Sequence, residues 1–349
     1  MQEFELYMYR CLQLARLGEY YVAPNPMVGA VLVGYIDGKE TILGEGWHRQ
    51  YGGAHAEPNC MLNAEGNHPE GIDYKHCTLY VSLEPCSHYG KTPPCAELII
   101  RKGIGRVVIG CLDPNPMVAG RGVRMLEAAG IEVHVGVAEA ACRALNKRFM
   151  CWQEQHRPYV ILKWAQTADG YIDEYRERAD DPGQTGGPIV ISTPLMKQLV
   201  HQQRAENMAV MVGTRTVLLD NPRLLTTHWS GRHPIRVTVD RHGVLPIESK
   251  IFSSDSETIV YRENTDWEYV LADLAQRGIH SILVEGGACL MNHILASSLY
   301  DEVHVEVSNR SLGEGKKGVQ APEYLFKSAP KMIDGHRVYI EKNAKNLYI

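Results

Sequence analysis

The apolar residues in the first half of the chain follow helical and strand-like periods in turn. Four of them recur at helical spacing near the N-terminus: Met8, Cys11, Leu12 and Ala15. Residues 28–33 form a continuous apolar run that predicts a buried strand, and Asp37-Gly38 predicts a hairpin turn into a second strand at 41–45. Further strands are predicted at 78–82, 106–110 and 131–135, and further helices at 96–102, 123–129 and 139–155. This alternation predicts a layered α/β domain.

The second half of the chain shows the same alternation. A strand is predicted at 159–163, directly after His156-Arg157-Pro158, where the preceding helix ends. Further strands are predicted at 209–212, 235–240, 258–261, 281–284 and 302–307, and helices at 194–203, 267–276 and 289–296. We therefore predict a second α/β domain with a mostly parallel sheet. The predicted division is a first domain at 1–146, a linker at 147–157 and a second domain at 158–349.

The composition is that of an ordinary globular protein, with 44% hydrophobic and 22% charged residues. A net charge of -5 and a pI of about 6.3 argue against binding to long nucleic acid, which needs a basic surface. No apolar run approaches the roughly 20 residues of a membrane helix, and the N-terminal pattern is not that of a secretory signal. We therefore expect a cytoplasmic protein that binds neither nucleic acid nor membrane. Its nine cysteines are then metal ligands or buried thiols rather than disulfides.

Two segments of the first half carry residues that suit a zinc ion: His55-Ala56-Glu57 and residues 84–95. A catalytic zinc site uses three protein ligands and leaves the fourth position to water, and His55, Cys86 and Cys95 supply such a set. Bound zinc stabilises the deprotonated form of water, which makes it a nucleophile near neutral pH. Glu57 lies two residues from the first ligand and is the candidate proton carrier.

The spacing differs from the general zinc-deaminase signature, H-x-E followed by P-C-x-x-C, because eight residues separate Cys86 from Cys95. Two other interpretations stay open. The cysteines could be ordinary buried thiols, or they could form a closed structural zinc site with His88 or Cys77. A Pro-Cys pair after a predicted strand, combined with the His-Ala-Glu segment, favours the catalytic interpretation.

Six motifs in the first half carry a family resemblance. They are Pro24-Asn-Pro-Met-Val-Gly-Ala30, Gly44-Glu-Gly-Trp-His48, His55-Ala-Glu57, Leu83-Glu-Pro-Cys-Ser-His88, Gly90-Lys-Thr-Pro-Pro-Cys95 and Asp113-Pro-Asn-Pro-Met-Val-Ala-Gly-Arg-Gly122. Together they resemble the deaminase half of the bifunctional riboflavin-biosynthesis deaminase/reductase family, in which an eight-residue insert between the cysteines is typical. The resemblance implies a cytidine-deaminase-like three-layer α/β/α domain followed by a dihydrofolate-reductase-like α/β domain. It also implies a homo-oligomer.

For the first domain, the resemblance implies deamination of 2,5-diamino-6-(5-phosphoribosylamino)pyrimidin-4(3H)-one with one zinc ion per chain. Glu57 would take a proton from the attacking water and deliver protons to the ring and to the leaving ammonia. Four residues are implied to line the substrate pocket: Asn25, His48, His88 and Lys91. Lys91 suits a phosphate group but could also be a solvated surface lysine, and His88 could instead orient a metal ligand.

Motifs in the second half extend the resemblance: Lys163-Trp-Ala-Gln-Thr-Ala-Asp-Gly170, Val212-Gly-Thr-Arg-Thr-Val-Leu-Leu-Asp-Asn-Pro222 and Leu283-Val-Glu-Gly-Gly-Ala288. They imply an NADPH-dependent reduction of the ribosylamino side chain to ribitylamino, in which the cofactor carries the hydride and the protein aligns the reacting carbons. The implied NADPH contacts are Gln166, Thr167, Asp169, Val190, Thr216, Asp220, Gly286, Gly287 and Ala288. The implied substrate contacts are Arg204, Leu224 and Glu285.

Simpler interpretations of these residues stay open. The Gly286-Gly287 pair suits a phosphate at a helix N-terminus, but a tight strand-to-helix turn explains it equally well. Asp220 could be a helix N-cap or a turn residue, and Arg204 could be a surface residue of a helix.

The chain departs from the family pattern at three places. Pro58 follows Glu57, where the family more often has Val. A helix that starts at His55 would hold Pro58 in its first turn, where the missing N–H costs little. Residues 187–191 stand where a Gly-x-Ser-x-Trp-Ile segment is usual, and Thr227-His228 stands where an Arg is often found.

Three functions follow as hypotheses. The first is the bifunctional enzyme, and the second is a deaminase whose reductase-like half is not catalytic. The third is a zinc-stabilised binding module, against which the acidic pI and the absence of basic and aromatic stripes argue.

Overall fold

The computed structural model describes residues 2–89, 93–115, 119–176, 187–314 and 317–346. The chain divides between Gln155 and His156 into two compact units, which are described separately. In the described part of the chain, no helix combines the length and the apolar character that crossing a membrane requires.

The first unit is built on a five-stranded sheet with the order β2-β1-β3-β4-β5. Strand β1 runs antiparallel to β2 and β3, whereas β3, β4 and β5 are parallel. The elements are α1 (Gln2–Arg16), β1 (Gly29–Ile36), β2 (Lys39–Trp47), α2 (Ala56–Asn67), β3 (Thr78–Leu83), α3 (Cys95–Lys102), β4 (Arg106–Cys111), α4 (Arg121–Ala128), β5 (Glu132–Val135), α5 (Glu139–Leu145) and α6 (Lys147–Gln155).

Alternation along the strands places helices on both faces of this sheet. Ala30 and Leu32 pack in a cluster with residues of α2, α3 and α4. Val31 and Val33 pack in a second cluster with residues of α1, α5 and α6. Because successive strand residues point to opposite faces, these clusters form the two interfaces of a three-layer α/β/α sandwich, as predicted.

The predicted hairpin is confirmed. Asp37 and Gly38 both have positive φ angles, 49° and 73°, as a type I′ turn requires. This turn reverses the chain tightly and pairs Ile36 with Lys39.

The prediction of one helix over 139–155 was wrong, because the segment forms α5 and α6 with Asn146 between them. The buried Asn146 side chain accepts a hydrogen bond from the Met27 N–H at 2.8 Å and donates to the Met27 carbonyl at 2.9 Å. An Asn that bonds to backbone elsewhere interrupts the regular helix. The predicted linker is therefore mostly helix α6, whose Met150 and Cys151 are buried in the first unit.

The second unit contains an eight-stranded sheet with the order β10-β9-β8-β11-β6-β12-β15-β14 and a small β13-β7 sheet. Its elements are β6 (Tyr159–Gln166), β7 (Tyr171–Glu174), α7 (Pro194–Glu206), β8 (Ala209–Val212), α8 (Thr214–Asp220), β9 (Ile235–Val239), β10 (Thr258–Tyr261), α9 (Trp267–Gln276), β11 (Ser281–Gly286), α10 (Ala288–Ser297), β12 (Glu302–Val307), β13 (Gly318–Gln320), β14 (Lys331–Ile333) and β15 (His336–Lys342). The strands from β10 to β12 are parallel, and β15 and β14 extend the sheet antiparallel. The predicted mostly parallel sheet is confirmed.

The face of this sheet that packs against α9 and α10 is apolar, whereas the opposite face carries charged side chains beside a small apolar cluster. Val160, Leu162 and Trp164 of β6 pack in the main core with residues of α9 and α10. Lys163 alternates with them and therefore projects to the opposite face, where the sheet carries polar groups. This charged face holds the second group of candidate site residues.

Candidate functional site

The three predicted metal ligands converge in the first unit. His55 Nδ1 lies 3.6 Å from Cys86 Sγ and 3.4 Å from Cys95 Sγ, and all three ligand atoms lie within 4.8 Å of one another. Tetrahedral zinc with a Zn–N bond of about 2.0–2.1 Å and a Zn–S bond of about 2.3 Å has an N···S edge of about 3.6 Å. The donor set therefore fits a zinc ion with one coordination position left open.

The ligands lie at the ends of regular elements. His55 directly precedes α2, Cys95 is the first residue of α3, and Cys86 follows β3. The Cys95 N–H donates to Cys86 Sγ at 3.3 Å, and hydrogen bonds from the Cys95 and His55 side chains lower the pKa of the Cys86 thiol to about 4. Cys86 is therefore held in the thiolate form that binds zinc.

Strand β2 sets the position of helix α2. A Cβ on Gly46 would lie 2.2 Å from the Cys60 nitrogen and 2.5 Å from the Ala56 oxygen. Only glycine permits this contact of helix backbone on strand backbone. The close packing holds the N-terminus of α2, and with it His55 and Glu57, against the sheet.

Glu57 is the second residue of α2 and is only 3% exposed. Burial, together with the Cys86 sulfur, raises the pKa of Glu57 to about 7, while His55 and a hydrogen bond with Cys95 act in the opposite direction. Pro58 lies in the first turn of α2, as predicted, where its ring removes no helical hydrogen bond. The carboxyl group therefore stands beside the ligands, as the hypothesis for a proton carrier requires.

Neither residue suggested for a closed structural site joins this cluster. Cys77 precedes β3 whereas Cys86 follows it, and six strand residues span about 20 Å. The Cys77 thiol instead bonds to the Asp73 carbonyl at 3.3 Å. His88 is exposed, and within the described ranges the only group of three or more such ligands is His55, Cys86 and Cys95.

His48 and Asn25 lie next to the ligand cluster. The His48 ring lies 5.4 Å from the His55 ring, centroid to centroid, and is buried. Asn25 Nδ2 donates to His48 Nε2 at 3.1 Å, so the ring carries its proton on Nδ1, which donates to the Ala54 carbonyl at 2.9 Å. Burial lowers the pKa of His48, which keeps the ring neutral.

Of the other two predicted pocket residues, His88 makes no hydrogen bond with the cluster within the described ranges. His88 is exposed, and it interacts electrostatically with the half-buried Asp113. Lys91 lies outside the described residues. The placement of both in a substrate pocket stays a prediction.

Glu84 is a site residue to which the sequence interpretation gave no role, although it belongs to the Leu83–His88 motif. Its buried carboxylate accepts four backbone N–H bonds, from Asp113 at 3.2 Å, Gly120 at 2.9 Å, Gly122 at 2.9 Å and Val123 at 3.4 Å. It ties the start of α4 to the segment that carries Cys86. The signal in the sequence that could have identified Glu84 is its position as an acidic residue directly after an apolar strand.

In the second unit, Arg204 of α7 and Glu285 of β11 form a bidentate pair. Arg204 Nε donates to Glu285 Oε1 at 2.6 Å and Nη2 donates to Oε2 at 2.5 Å, while Nη1 donates to the Leu225 carbonyl at 3.0 Å. The side chains are only 15% and 10% exposed. The alternative of a surface helix residue for Arg204 is therefore wrong.

Lys163 of β6 is a second residue that the sequence interpretation left without a role. Its Nζ lies 4.0 Å from Glu306 Oε2, and burial lowers its pKa while Glu306 and Glu285 oppose that effect. Glu306 also accepts from Ser192 Oγ at 2.6 Å and contacts His336 Nδ1 at 2.7 Å. A lysine inside an otherwise apolar strand was the signal that could have identified it.

The predicted glycine segment forms a strand-to-helix turn beside Thr216. Gly286 ends β11, Gly287 has a φ of 84°, and Ala288 begins α10. A Cβ on Gly286 would lie 3.1 Å from Thr216 Oγ1. The turn and the phosphate-binding interpretation are compatible, because a helix N-terminus without a side-chain cap leaves backbone N–H groups for an anion.

Thr167 and Asp169 shape one turn of the second unit. Thr167 Oγ1 accepts from the Tyr171 N–H at 2.9 Å, and the Asp169 carboxylate accepts from the Leu312 N–H at 3.0 Å. Gln166 accepts a hydrogen bond from the Trp164 indole at 2.8 Å. These contacts are structural, so a cofactor contact by these residues stays a prediction.

Three further predicted residues make no hydrogen bond or ion pair with the Arg204–Glu285 pair in the described part of the chain, although the Leu225 carbonyl next to Leu224 does. Val190 is 62% exposed and Leu224 is 4% exposed. Asp220 is the last residue of α8 and pairs with Arg176, so its interpretation as an N-cap is wrong.

Two family models match the chain. Residues 1–111 match the cytidine and deoxycytidylate deaminase zinc-binding region, and residues 158–337 match the RibD C-terminal domain. The fold and the ligand cluster thus define a two-domain protein with a zinc-deaminase domain followed by a RibD-type reductase domain.

Whole-chain relatives give the same result. The riboflavin biosynthesis protein RibD of Aquifex aeolicus is 36% identical over 94% of this chain and 94% of its own length, and that of Synechocystis is 38% identical over 91% and 86%. The solved RibD of Acinetobacter baumannii superposes with a TM-score of 0.83 at 31% identity, over 97% of this chain and 98% of that one. The Thermotoga maritima diaminohydroxyphosphoribosylaminopyrimidine deaminase/5-amino-6-(5-phosphoribosylamino)uracil reductase gives 0.81 at 36%, over 97% of each.

The chain therefore belongs to the RibD family of riboflavin biosynthesis enzymes, which unite a deaminase and a reductase domain. The predicted family and fold class are confirmed.

Proposed function

We propose that this chain deaminates 2,5-diamino-6-(5-phosphoribosylamino)pyrimidin-4(3H)-one and then reduces the ribosylamino side chain of the product to ribitylamino with NADPH. The observation that carries the proposal is the convergence of His55, Cys86 and Cys95 beside Glu57, in a chain that matches two-domain relatives along most of its length. The Thermotoga maritima relative is named for the same two activities.

In the deaminase half, His55, Cys86 and Cys95 would hold one zinc ion, which would supply activation of a water molecule as the nucleophile. Glu57 would accept a proton from the attacking water on its carboxylate. It then donates protons to the ring nitrogen and to the departing amino group. Burial raises the pKa of the Glu57 carboxyl group, which suits a group that first takes and then releases a proton.

The residues around the cluster orient the substrate in this proposal. Neutral His48 and the Asn25 amide line the ring pocket, because the His48 ring lies beside His55 and Asn25 is hydrogen-bonded to His48. His88 and Lys91 complete the pocket, with Lys91 as the partner of the phosphate. Neither of these last two assignments rests on a described contact.

In the reductase half, NADPH supplies the hydride when bound. Gly286, Gly287 and Ala288 present the N-terminus of α10 to a phosphate of the cofactor, with Thr216 beside them. Arg204, Leu224 and Glu285 hold the substrate so that its C1′ carbon faces the cofactor. Further cofactor contacts are proposed for Gln166, Thr167, Asp169, Val190 and Asp220.

Two further properties follow from the family and are part of the proposal. The enzyme acts in the cytoplasm, because its substrates are small phosphorylated metabolites. It works as a homo-oligomer.

The test follows both reactions with one enzyme preparation of measured zinc content. We expect one ammonia released per substrate molecule, followed by oxidation of one NADPH. Ammonia release without NADPH oxidation would favour the deaminase with a non-catalytic second half. A chain that contains one zinc ion but releases no ammonia would contradict the deaminase assignment.

A further inference from the structure

Residues 224–227, here called the post-α8 segment, are held in a strained conformation. Leu224 has a φ of 53°, which costs a residue with a branched side chain on the order of 1–3 kcal/mol. Its side chain is nevertheless buried in a small apolar cluster with Val210, Val217 and Ile251. A segment that keeps such strain must be fixed by its surroundings.

Two side chains one turn apart on α7 hold this segment. Arg204 Nη1 donates to the Leu225 carbonyl at 3.0 Å, and His201 Nδ1 accepts from the Thr227 N–H at 3.0 Å. The same Arg204 holds Glu285, so one guanidinium joins the segment to the proposed substrate site. Helix α7 therefore sets the position of the segment relative to Glu285.

The hydrogen bond from Thr227 determines the state of the His201 ring. A ring nitrogen that accepts an N–H bond carries no proton, so His201 is neutral with its proton on Nε2. His233 is held in the same way, because its Nδ1 accepts from the Thr226 N–H at 3.2 Å. Protonation of His201 at Nδ1 would break its bond to the segment.

The surroundings of His201 favour the neutral ring. Burial, the positive charge of Arg204 on α7 and His228 lower the pKa of His201 to about 4, while Glu285 of β11 and the Leu225 carbonyl oppose them. Because the folded-state pKa lies below the ordinary value of about 6.5, the neutral ring stabilises the segment above that ordinary value. This contribution is lost as the pH falls through the folded-state value.

The segment also has an unused polar group. The Thr226 hydroxyl is buried and makes no hydrogen bond with any residue in the described ranges. A buried hydroxyl without a partner costs about 1–3 kcal/mol, so it is suited to a bound ligand or water. The segment thus offers a polar atom close to residues that the proposed function assigns to the substrate.

We propose that neutral His201 is a positioning residue of the reductase site, which holds the post-α8 segment in place beside the Arg204–Glu285 pair so that the segment contacts the substrate. This inference rests on the proposed reductase function. His201 itself need not touch the substrate, since it acts through the backbone of Thr227.

The test compares two variants of His201 in the full-length enzyme. His201→Leu removes the acceptor for the Thr227 N–H, whereas in His201→Gln the amide oxygen can still accept that bond but does not titrate. We expect His201→Leu to raise the KM for the deaminated intermediate about tenfold, with a smaller change in kcat, since one lost hydrogen bond costs about 1–1.5 kcal/mol. His201→Gln should keep a KM close to that of the native chain at neutral pH.

The pH profile supplies the second measurement. As the pH falls towards about 4, the KM of the native chain should rise more than that of His201→Gln, since the two proteins share every other titrating group. Deaminase activity of the same preparation reports folding of the first unit, and thermal unfolding of the second unit reports whether the variant is intact. The matched control is His242→Gln, which changes an exposed histidine of the second unit.

The outcomes separate this inference from the proposed function. A native chain that does not oxidise NADPH with the intermediate overturns the reductase assignment. A native chain that does so, but whose KM is unchanged in His201→Leu, overturns the positioning role of His201. Equal pH profiles for the native chain and His201→Gln also overturn it.

Discussion

The two halves of the chain assemble their sites in different ways. In the first unit, the three proposed metal ligands and Glu57 come from residues 55–95, and each proposed ligand lies at or near the end of a helix or strand. In the second unit, the proposed site residues extend from Gln166 to Ala288 and are linked through ion pairs and backbone contacts. Zinc chemistry needs particular donor atoms, whereas hydride transfer needs alignment of substrate and cofactor.

Charge is also used differently in the two sites. The first cluster combines two sulfurs and one imidazole, which leaves an open coordination position for a reacting molecule. In the second unit, all three guanidinium nitrogens of Arg204 are engaged by Glu285 and Leu225. We therefore expect substitution of a single ligand to abolish the first site. In the second site, we expect a substitution to destabilise the surrounding structure first.

The largest effect is expected from Cys86→Ser. A serine hydroxyl does not provide the thiolate that zinc binds, so zinc content and ammonia release should both fall to background. The matched control is Cys77→Ser, a buried thiol at the other end of β3, which should keep one zinc ion per chain. Metal analysis and an ammonia assay on both variants measure this. Retention of full zinc by Cys86→Ser would contradict the proposed ligand set.

The next effect is expected from Glu57→Gln, which keeps the size of the side chain and removes its proton transfer. Ammonia release should fall by about 10²–10⁴-fold with the zinc content unchanged. NADPH oxidation with the deaminated intermediate should continue, since Glu57 belongs to the first unit. Glu65→Gln, an exposed residue of the same helix, is the control. If both variants turned over at the native rate, Glu57 would not be the proton carrier.

The fold was predictable where apolar periodicity is strong. Strands 258–261 and 302–307 and helix 267–276 were predicted with their observed bounds, because each has a buried face in the core. Short elements were missed, including α8 and β13–β15, whose residues are mostly half-buried or exposed. The break at Asn146 depends on its bonds to Met27, a contact that local periodicity does not contain.

The two sites were predictable to different extents, because a local pattern reveals residue types and spacing but not contacts between distant residues. His55, Cys86 and Cys95 were identified because metal-ligand residue types recur at motif spacing, and the structure brings them together. The roles of Lys163 and Glu84 depend on partners far along the chain, Glu306 and the backbone of 113–123. Such contacts are set by strand order and helix packing, so a local pattern of residues does not reveal them.

The third-largest effect is expected from Glu285→Gln, which tests whether the second site depends on its ion pair. Glu285→Gln leaves the Arg204 charge buried without its counter-ion, which should lower the free energy of unfolding of the second unit by about 3–5 kcal/mol. The double variant Arg204→Leu with Glu285→Leu should lose less than the sum of the single variants, because no charge is left unpaired. Chemical denaturation of the native chain, Glu285→Gln, the single variants Arg204→Leu and Glu285→Leu, and the double variant measures this. Additive losses would mean that the pair has no mutual stabilisation.

The smallest effect is expected from Glu84→Gln, which tests whether the first site also depends on a buried anion. Glu84→Gln replaces one carboxylate oxygen by an NH2 group that cannot accept the two backbone N–H bonds which that oxygen accepts, so the first unit should lose about 1–3 kcal/mol of stability. Because Glu84 contributes no atom to the ligand cluster, zinc content should stay near one per chain while the KM for the deaminase substrate rises. Glu127→Gln, an exposed residue of α4, is the control. Loss of zinc in Glu84→Gln without loss of stability would show that Glu84 acts on the metal ligands directly. In that case the first site would also depend on a network, and the contrast with the second site would fail.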